Sequence, residues 1–310
     1  MQRRHRGEPE PSHTALAIRI LGSGGAFRTP RPACGCRVCT EAREKGVPYA
    51  RSGPGVFVHG PDLLIDTSED IYLQLDRARL GQVYGGLYSH WHPDHTMGRR
   101  VWETLNADPR GTPPRHRRSE VYVPTGVLED FERYGLMGHF DFLARRFIDL
   151  IPMQPEQPYA INGYTVTAIP LAMERAYAFL FEAPGPGSDS LRVLVAMDET
   201  RGWRPPPAVR GVHLAVIPVG IFEFDPFTGE RRMPPDHPLL REEATFDETL
   251  SLVAELRARR TVLTHIEEPD QLGYDDLRRL ERQEVLRTLP ATFAFDGCVV
   301  DAAGTATTGA

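Results

Sequence analysis

The sequence predicts a layered α/β fold, and two observations carry that prediction. Short apolar runs of β type alternate along the chain with segments of helical spacing, the pattern that lays helices over sheets. The chain has 310 residues and 41% apolar content, enough for one substantial core, and no internal repeat is visible.

Taken in order, residues 1–14 are polar and Pro-bearing and read as a disordered leader, with a single domain over 15–310. Residues 15–21 form a β-type run ending in Gly22-Ser23-Gly24-Gly25. That turn lacks the Gly-Lys-Thr/Ser of a nucleotide loop, so a tight turn bordering a site is the better reading. Residues 56–59 and 63–66 pair as a hairpin around Gly60-Pro61-Asp62, and 71–80 read as a helix. A strand at 83–88 and a helix at 96–105 follow. The Pro- and Arg-rich stretch 106–118 and the aromatic, amphipathic stretch 127–150 form a segment, 106–150, with two readings: an insertion overhanging the site, or plain connecting structure. Strand character resumes at 164–169 and 178–182. Residues 205–207 and 225–243 are loop-like, and Leu250, Leu252, Val253 and Leu256 place a helix within 246–259.

The chemistry concentrates in His90-Trp91-His92-Pro93-Asp94-His95, three imidazoles and a carboxylate in six residues directly after an apolar run. Imidazole nitrogen and carboxylate oxygen suit zinc or a related divalent ion, and alternation points His90 and His92 the same way. Asp94 and His95 fall where the chain turns toward a helix and can address a second ion close to the first. A second signal is Cys34-Gly35-Cys36-Arg37-Val38-Cys39, three of four cysteines within six residues. Three thiolates at this spacing suit a structural zinc missing one ligand. Cys298, in an apolar run, reads as a buried thiol. The net charge of −6 argues against a generally basic nucleic-acid surface. No apolar run approaches the roughly 20 residues of a membrane span, and the first residues lack the apolar stretch of a signal peptide, so a cytoplasmic protein is expected.

The pattern His-x-His-x-Asp-His after a strand, followed closely by Gly98, resembles the signature of the metallo-β-lactamase superfamily. The resemblance implies a four-layer αβ/βα sandwich with metals at the edge between two sheets. It further implies Asp198, after the run 194–197, as a bridging ligand, His265, after 261–264, as the last ligand, and Asp66 as a brace behind the histidines. The Gly-rich turn followed by Cys-x-Cys-x-x-Cys is similar to the phosphodiesterases of phosphonate breakdown, and more distantly to pyrroloquinoline quinone biosynthesis protein B. Where the phosphodiesterases supply a fourth, histidine ligand to the structural zinc, this chain has Glu268, giving a set of Cys34, Cys36, Cys39 and Glu268.

Two further departures bear on mechanism. Met173 stands where the family's third histidine for the first metal is expected, so that position keeps His90, His92 and Asp198 unless the neighbouring Glu174 substitutes, and it is expected to hold its ion more weakly than the second, at Asp94, His95 and His265. Glu243 replaces a histidine that assists the substrate phosphate; it would repel a phosphate dianion yet can serve as acid or base. The implied activity is metal-assisted hydrolysis of a small phosphate ester, with Zn²⁺ or Mn²⁺ ions (or Fe) activating a shared water and Asp94 and Glu243 as catalytic groups. Two alternatives stay open: a single-metal, redox-active cofactor-biosynthesis protein, and a non-catalytic, metal-bound binding protein. A homodimer is left open.

Overall fold

The computed structural model describes residues 16–184, 190–303 and 306–307, so the expected leader lies outside the described residues. Among the described residues two mixed sheets form. The strands, in chain order, are β1 (Ala17–Gly22), β2 (Gly55–His59), β3 (Leu63–Ile65), β4 (Gly85–Leu87), β5 (Ser119–Pro124), β6 (Ile148–Met153), β7 (Pro158–Ile161), β8 (Tyr164–Pro170), β9 (Tyr177–Glu182), β10 (Arg192–Val195), β11 (Leu214–Pro218), β12 (Arg260–Thr264), β13 (Ala291–Phe293), β14 (Val299–Asp301) and β15 (Ala306–Thr307). The first sheet runs β15-β14-β1-β2-β3-β4-β5-β6 and the second β13-β12-β11-β10-β9-β8-β7.

Alternation along the strands of the second sheet sorts its side chains between two cores. Val193, Val195, Leu214, Val216 and Val262 join Ile18, Ile20, Val56 and Val58 of the first sheet in one buried cluster. Leu194, Ala215, Ile217 and Leu263, one residue out of phase, pack instead with Leu252, Val253 and Leu256 of the helix Phe246–Leu256. That helix begins where the sequence places it because Thr245 and Glu248 form a reciprocal cap. Helices at Ile71–Ala78, Val101–Asn106, Thr125–Arg133 and Met137–Ala144 carry Ile71, Trp102, Phe131 and Phe140 into the first cluster. The result is the αβ/βα sandwich that the resemblance implied.

The segment 106–150, for which the sequence leaves two readings, contains two strands and a pair of helices. It contributes β5 and β6, which extend the first sheet in parallel register from β4. Phe131 and Phe140 belong to the core: they stack at 4.7 Å and both meet Tyr88 edge-on. It still touches the histidine motif, because Tyr134 stacks on Trp91 with ring centroids 3.7 Å apart.

Candidate metal centre

Each cluster residue follows a strand closely. Asp66 comes after β3, the stretch His90 to His95 after β4, Asp198 after β10 and His265 directly after β12. β3 and β4 are parallel, as are β10, β11 and β12, so these strands deliver their ends to one edge of the sandwich. The turns are sharp: Asp66, Glu199 and His265 have φ of 61°, 60° and 57°, left-handed values that cost side-chain-bearing residues on the order of 1 kcal/mol each. Gly98 lets the motif dock, since a Cβ there would lie 2.0 Å from the Ser68 carbonyl oxygen. Across the gap, a Cβ on Gly25 would lie 2.1 Å from Glu267 Oε1 and 2.6 Å from the His265 ring, so the glycine-rich turn does border the site.

The imidazoles are oriented from behind. Asp66, fully buried, accepts from Ser89 N at 2.8 Å and Ser89 Oγ at 2.6 Å, and pairs with His95 Nδ1 at 2.7 Å. Ser89 Oγ also lies 3.0 Å from His90 Nδ1. Glu267, held by the backbone N–H groups of Ala26 and Phe27, stands 3.6 Å from His265 Nδ1. The Nε2 atoms of His90, His95 and His265 are buried and have no hydrogen-bond partner. Three orphaned acceptor-capable nitrogens in one place is costly unless something positively charged binds them.

The distances suit divalent ions. Asp94 Oδ2 lies 3.2 Å from His95 Nε2 and 3.5 Å from His265 Nε2, and Asp198 Oδ2 lies 3.4 Å from His265 Nε2 and 3.9 Å from His95 Nε2. Donors bonded at about 2.1 Å to one ion stand roughly 3.0–3.4 Å apart. Asp94, His95 and His265 form one group of convergent donors; His90, His92, Asp198 and Glu199 form another, and Asp198 reaches both. The electrostatics agree. Burial would raise Asp94, but the facing His95 and His265 hold it well below the usual carboxylate range. Burial would lower His95 and His265, yet Asp94 and Asp66 hold His95 well above its ordinary value, and Asp198 and Asp94 lift His265 to about 10. The second position therefore attracts positive charge strongly. His90, by contrast, is pushed well below its ordinary value by burial and by His95 and His92, which leaves it neutral and ready to ligate.

The structure brings His90, His92, Asp94, His95, Asp198 and His265 together, with Asp66 behind them, and corrects one member of the expected set. Glu174 is not in the cluster: its side chain is 81% exposed and pairs with Arg175 at 3.3 Å. Arg175 is itself held by Glu129 and Asp130, which anchors that turn away from the histidines. The carboxylate beside His90 and His92 is Glu199, 3.4 Å from His92 Nδ1. Sequence reasoning passed over both Glu199 and Glu267; each sits beside a recognised residue, as Asp198-Glu199 and His265-Ile266-Glu267.

Glu243 lines a cleft of about 120 Å³ that opens beside Asp198 and His265, among Phe27, Ile221, Met233 and Leu239. Burial and the nearby Asp198 push Glu243 up to about 7. No lysine or arginine is among the described residues lining this cleft.

The cysteine cluster forms a separate centre. The Sγ atoms of Cys34, Cys36 and Cys39 stand 3.4, 3.1 and 3.2 Å from Glu268 Oε1, and Glu268 is buried. Zinc bonds of about 2.3 Å to sulfur and 2.0 Å to oxygen imply tetrahedral S···O separations of roughly 3.5 Å, close to those present. Arg31 lies beside the cluster, 3.3 Å from Glu268 Oε2. Burial pushes the Cys39 thiol up to about 12. Cys298 is buried apart from this group, immediately before β14.

The chain belongs to the beta-lactamase superfamily, whose domain profile matches residues 62–266. Among solved structures, a diphosphatase from the PhnP family is similar over 95% of this chain and 100% of its own, at 21% identity and a TM-score of 0.67. Zinc-bound PqqB from Methylobacterium extorquens is similar over 92% of this chain and 99% of its own, at 17% identity and a TM-score of 0.66. The metallo-β-lactamase fold protein YhfI from Bacillus subtilis follows the same fold over 93% of this chain and 99% of its own, at 17% identity and a TM-score of 0.60. No curated protein matches the chain.

Proposed function

We propose that the protein is a metal-dependent hydrolase acting on a small phosphodiester. The observation that carries this reading is the convergence of the unpartnered Nε2 atoms of His90, His95 and His265 on the carboxylates of Asp94 and Asp198. His90, His92 and Asp198 would hold one ion, and Asp94, His95, His265 and Asp198 the other. Divalent ions bound there supply Lewis acidity and make water a nucleophile near neutral pH.

The protein's own groups account for the rest. Asp66 fixes the ring orientation of His95, and Glu267 faces the His265 ring from 3.6 Å. Asp94 faces the cluster and is the candidate proton acceptor. Glu243, raised toward neutrality in the adjoining cleft, is the group placed to donate a proton to a departing alkoxide. The cleft favours a diester: its described lining has no lysine or arginine to neutralise a phosphate dianion, whereas a diester brings a single negative charge and an apolar arm that Phe27, Ile221 and Met233 can cover. A solved relative described as a diphosphatase is in keeping with phosphate chemistry on this fold. Cys34, Cys36, Cys39 and Glu268 would hold a structural Zn²⁺. For localisation, no helix among the described residues is long and apolar enough to cross a membrane.

The test is hydrolysis of bis(4-nitrophenyl) phosphate by protein loaded with Zn²⁺ or Mn²⁺, alongside 4-nitrophenyl phosphate as the dianionic comparison. The diester should be turned over faster than the monoester, and Asp94→Asn should lower the diester rate at least about hundredfold with folding retained. A folded Asp94→Asn protein at full rate overturns the mechanism.

A further inference from the structure

We infer that Glu199 is a ligand of the first metal position, replacing the histidine that Met173 displaces, and that this makes the position a two-histidine, two-carboxylate site with a stronger relative preference for Mn²⁺ or Fe²⁺ than the second position has. The inference rests on the hydrolase reading above but concerns this chain's own donor set. The ligand-type atoms of His90, His92, Asp198 and Glu199 all lie within 4.8 Å of one another, and Glu199 Oε1 stands 3.4 Å from His92 Nδ1, the separation of two donors sharing one ion. Glu199 is buried, only 8% exposed. Its backbone is held in the left-handed region, φ 60°, and this turn immediately after Asp198 lets two consecutive carboxylates reach one position.

The donor chemistry sets the metal preference. Replacing an imidazole by a carboxylate trades a borderline nitrogen for a hard oxygen, and oxygen-rich sets favour Mn²⁺ and Fe²⁺ relative to zinc compared with imidazole-rich ones. The two positions should therefore differ in selectivity while sharing Asp198. Glu199 could instead only hydrogen-bond His92, and a glutamine keeps that role while losing the ligand charge.

The experiment loads metal-stripped full-length protein with Mn²⁺ or Zn²⁺ and reads position-resolved occupancy by anomalous scattering, with Mn²⁺ affinity followed by electron paramagnetic resonance. The expected result for Glu199→Gln is at least a tenfold loss of Mn²⁺ affinity at the first position, with occupancy between Asp94, His95 and His265 kept. Glu199→His should raise the Zn²⁺ to Mn²⁺ affinity ratio at the first position about tenfold, and Glu174→Gln should change neither. Metal-free thermal unfolding shows whether each variant folds, and Glu199→Asp, a shorter carboxylate, gives an intermediate loss if the glutamine variant does not. Unchanged Mn²⁺ affinity in a folded Glu199→Gln protein, or a first ion out of bonding distance of Glu199, overturns the inference. None of these readouts uses substrate, so a protein that binds ions as described yet cleaves no ester would overturn the hydrolase reading and leave this one standing.

Discussion

The two candidate metal clusters are built on opposite plans. The histidine–carboxylate cluster collects Asp66, His90 to His95, Asp198 and His265 from four strand ends belonging to both sheets, so it exists only when the sandwich has closed. The cysteine cluster takes three of its four donors from Cys34 to Cys39 and needs only Glu268 from elsewhere. One centre is a product of the fold; the other closes a loop onto it. They meet in a single segment, where His265 belongs to one cluster, Glu267 ties the glycine-rich turn at Ala26 and Phe27, and Glu268 belongs to the other. A local cluster of this kind should stabilise the fold without being required for ligand geometry at His90 and His92.

The largest effect expected from that contrast follows removal of a cysteine. Cys36→Ser takes away one of four candidate donors, while the serine hydroxyl can still cap the helix Arg37–Lys45. Structural zinc adds its binding energy to folding, so the zinc content should fall by one ion per chain and the thermal midpoint by on the order of 10 °C. Anomalous scattering should still find metal between Asp94, His95 and His265. Unchanged zinc content would mean that the thiols only pack, and loss of both centres together would erase the distinction drawn here.

Next in size is Asp66→Asn, which acts on the other plan. The asparagine keeps the shape but loses the charge facing His95 Nδ1, and removal of such a brace typically lowers metal affinity roughly ten- to hundredfold. Chelator competition should show that loss at the second position, with the zinc of the cysteine cluster untouched. Equal affinity in variant and parent would show that Ser89 alone positions the motif.

How far the two clusters were legible in the sequence follows the same division. Donors adjacent in sequence announced themselves: the His90–His95 motif and the three cysteines are recognisable by spacing alone. The single residues Asp198 and His265 were found through a resemblance in strand-end patterning, and the layered fold through the alternation of strands with helices. What spacing could not show was direction. Glu174 and Glu199 are both carboxylates at the end of a strand-like run, and only the turn at Arg175, pinned by Glu129 and Asp130, shows that the former faces solvent. The segment 106–150 was obscure for a related reason: β5 and β6 are flanked by Pro- and Arg-rich loops and an aromatic helix pair, so the periodicity of two core strands was diluted.

Glu267→Gln probes the shared segment and should have a smaller effect than Asp66→Asn, because Glu267 stands 3.6 Å from His265 Nδ1 whereas Asp66 is 2.7 Å from His95 Nδ1. A longer contact orients the ring less firmly. About a tenfold fall in kcat/KM on the diester is expected, with zinc retained at the cysteines. A loss as large as that of Asp66→Asn would mean that the glycine-rich turn, which Glu267 also ties down, matters more than the ring it faces.

The smallest effect lies two residues beyond Glu268, where Asp270 accepts from Phe222 N at 3.0 Å and is almost wholly buried. Burial pushes its carboxyl up to about 7, against roughly 3.9 in an unfolded chain. Between those values the folded state holds the proton more tightly than the unfolded state. Stability from this group is therefore fully present below about pH 4 and is lost as pH rises toward 7. Asp270→Asn removes the titration while leaving an oxygen for Phe222 N. Denaturant unfolding of chelator-treated protein at pH 5 and pH 7 should show a smaller loss of stability in the variant, by about 2 kcal/mol. The comparison between variant and parent isolates this group from Glu199 and Glu243, whose raised values act in the same direction. Identical pH dependence in the two proteins would mean that Asp270 stays ionised, held by the buried Arg51 and by Arg232, and the segment joining the two clusters would then be fixed by ion pairing rather than by a protonated carboxyl.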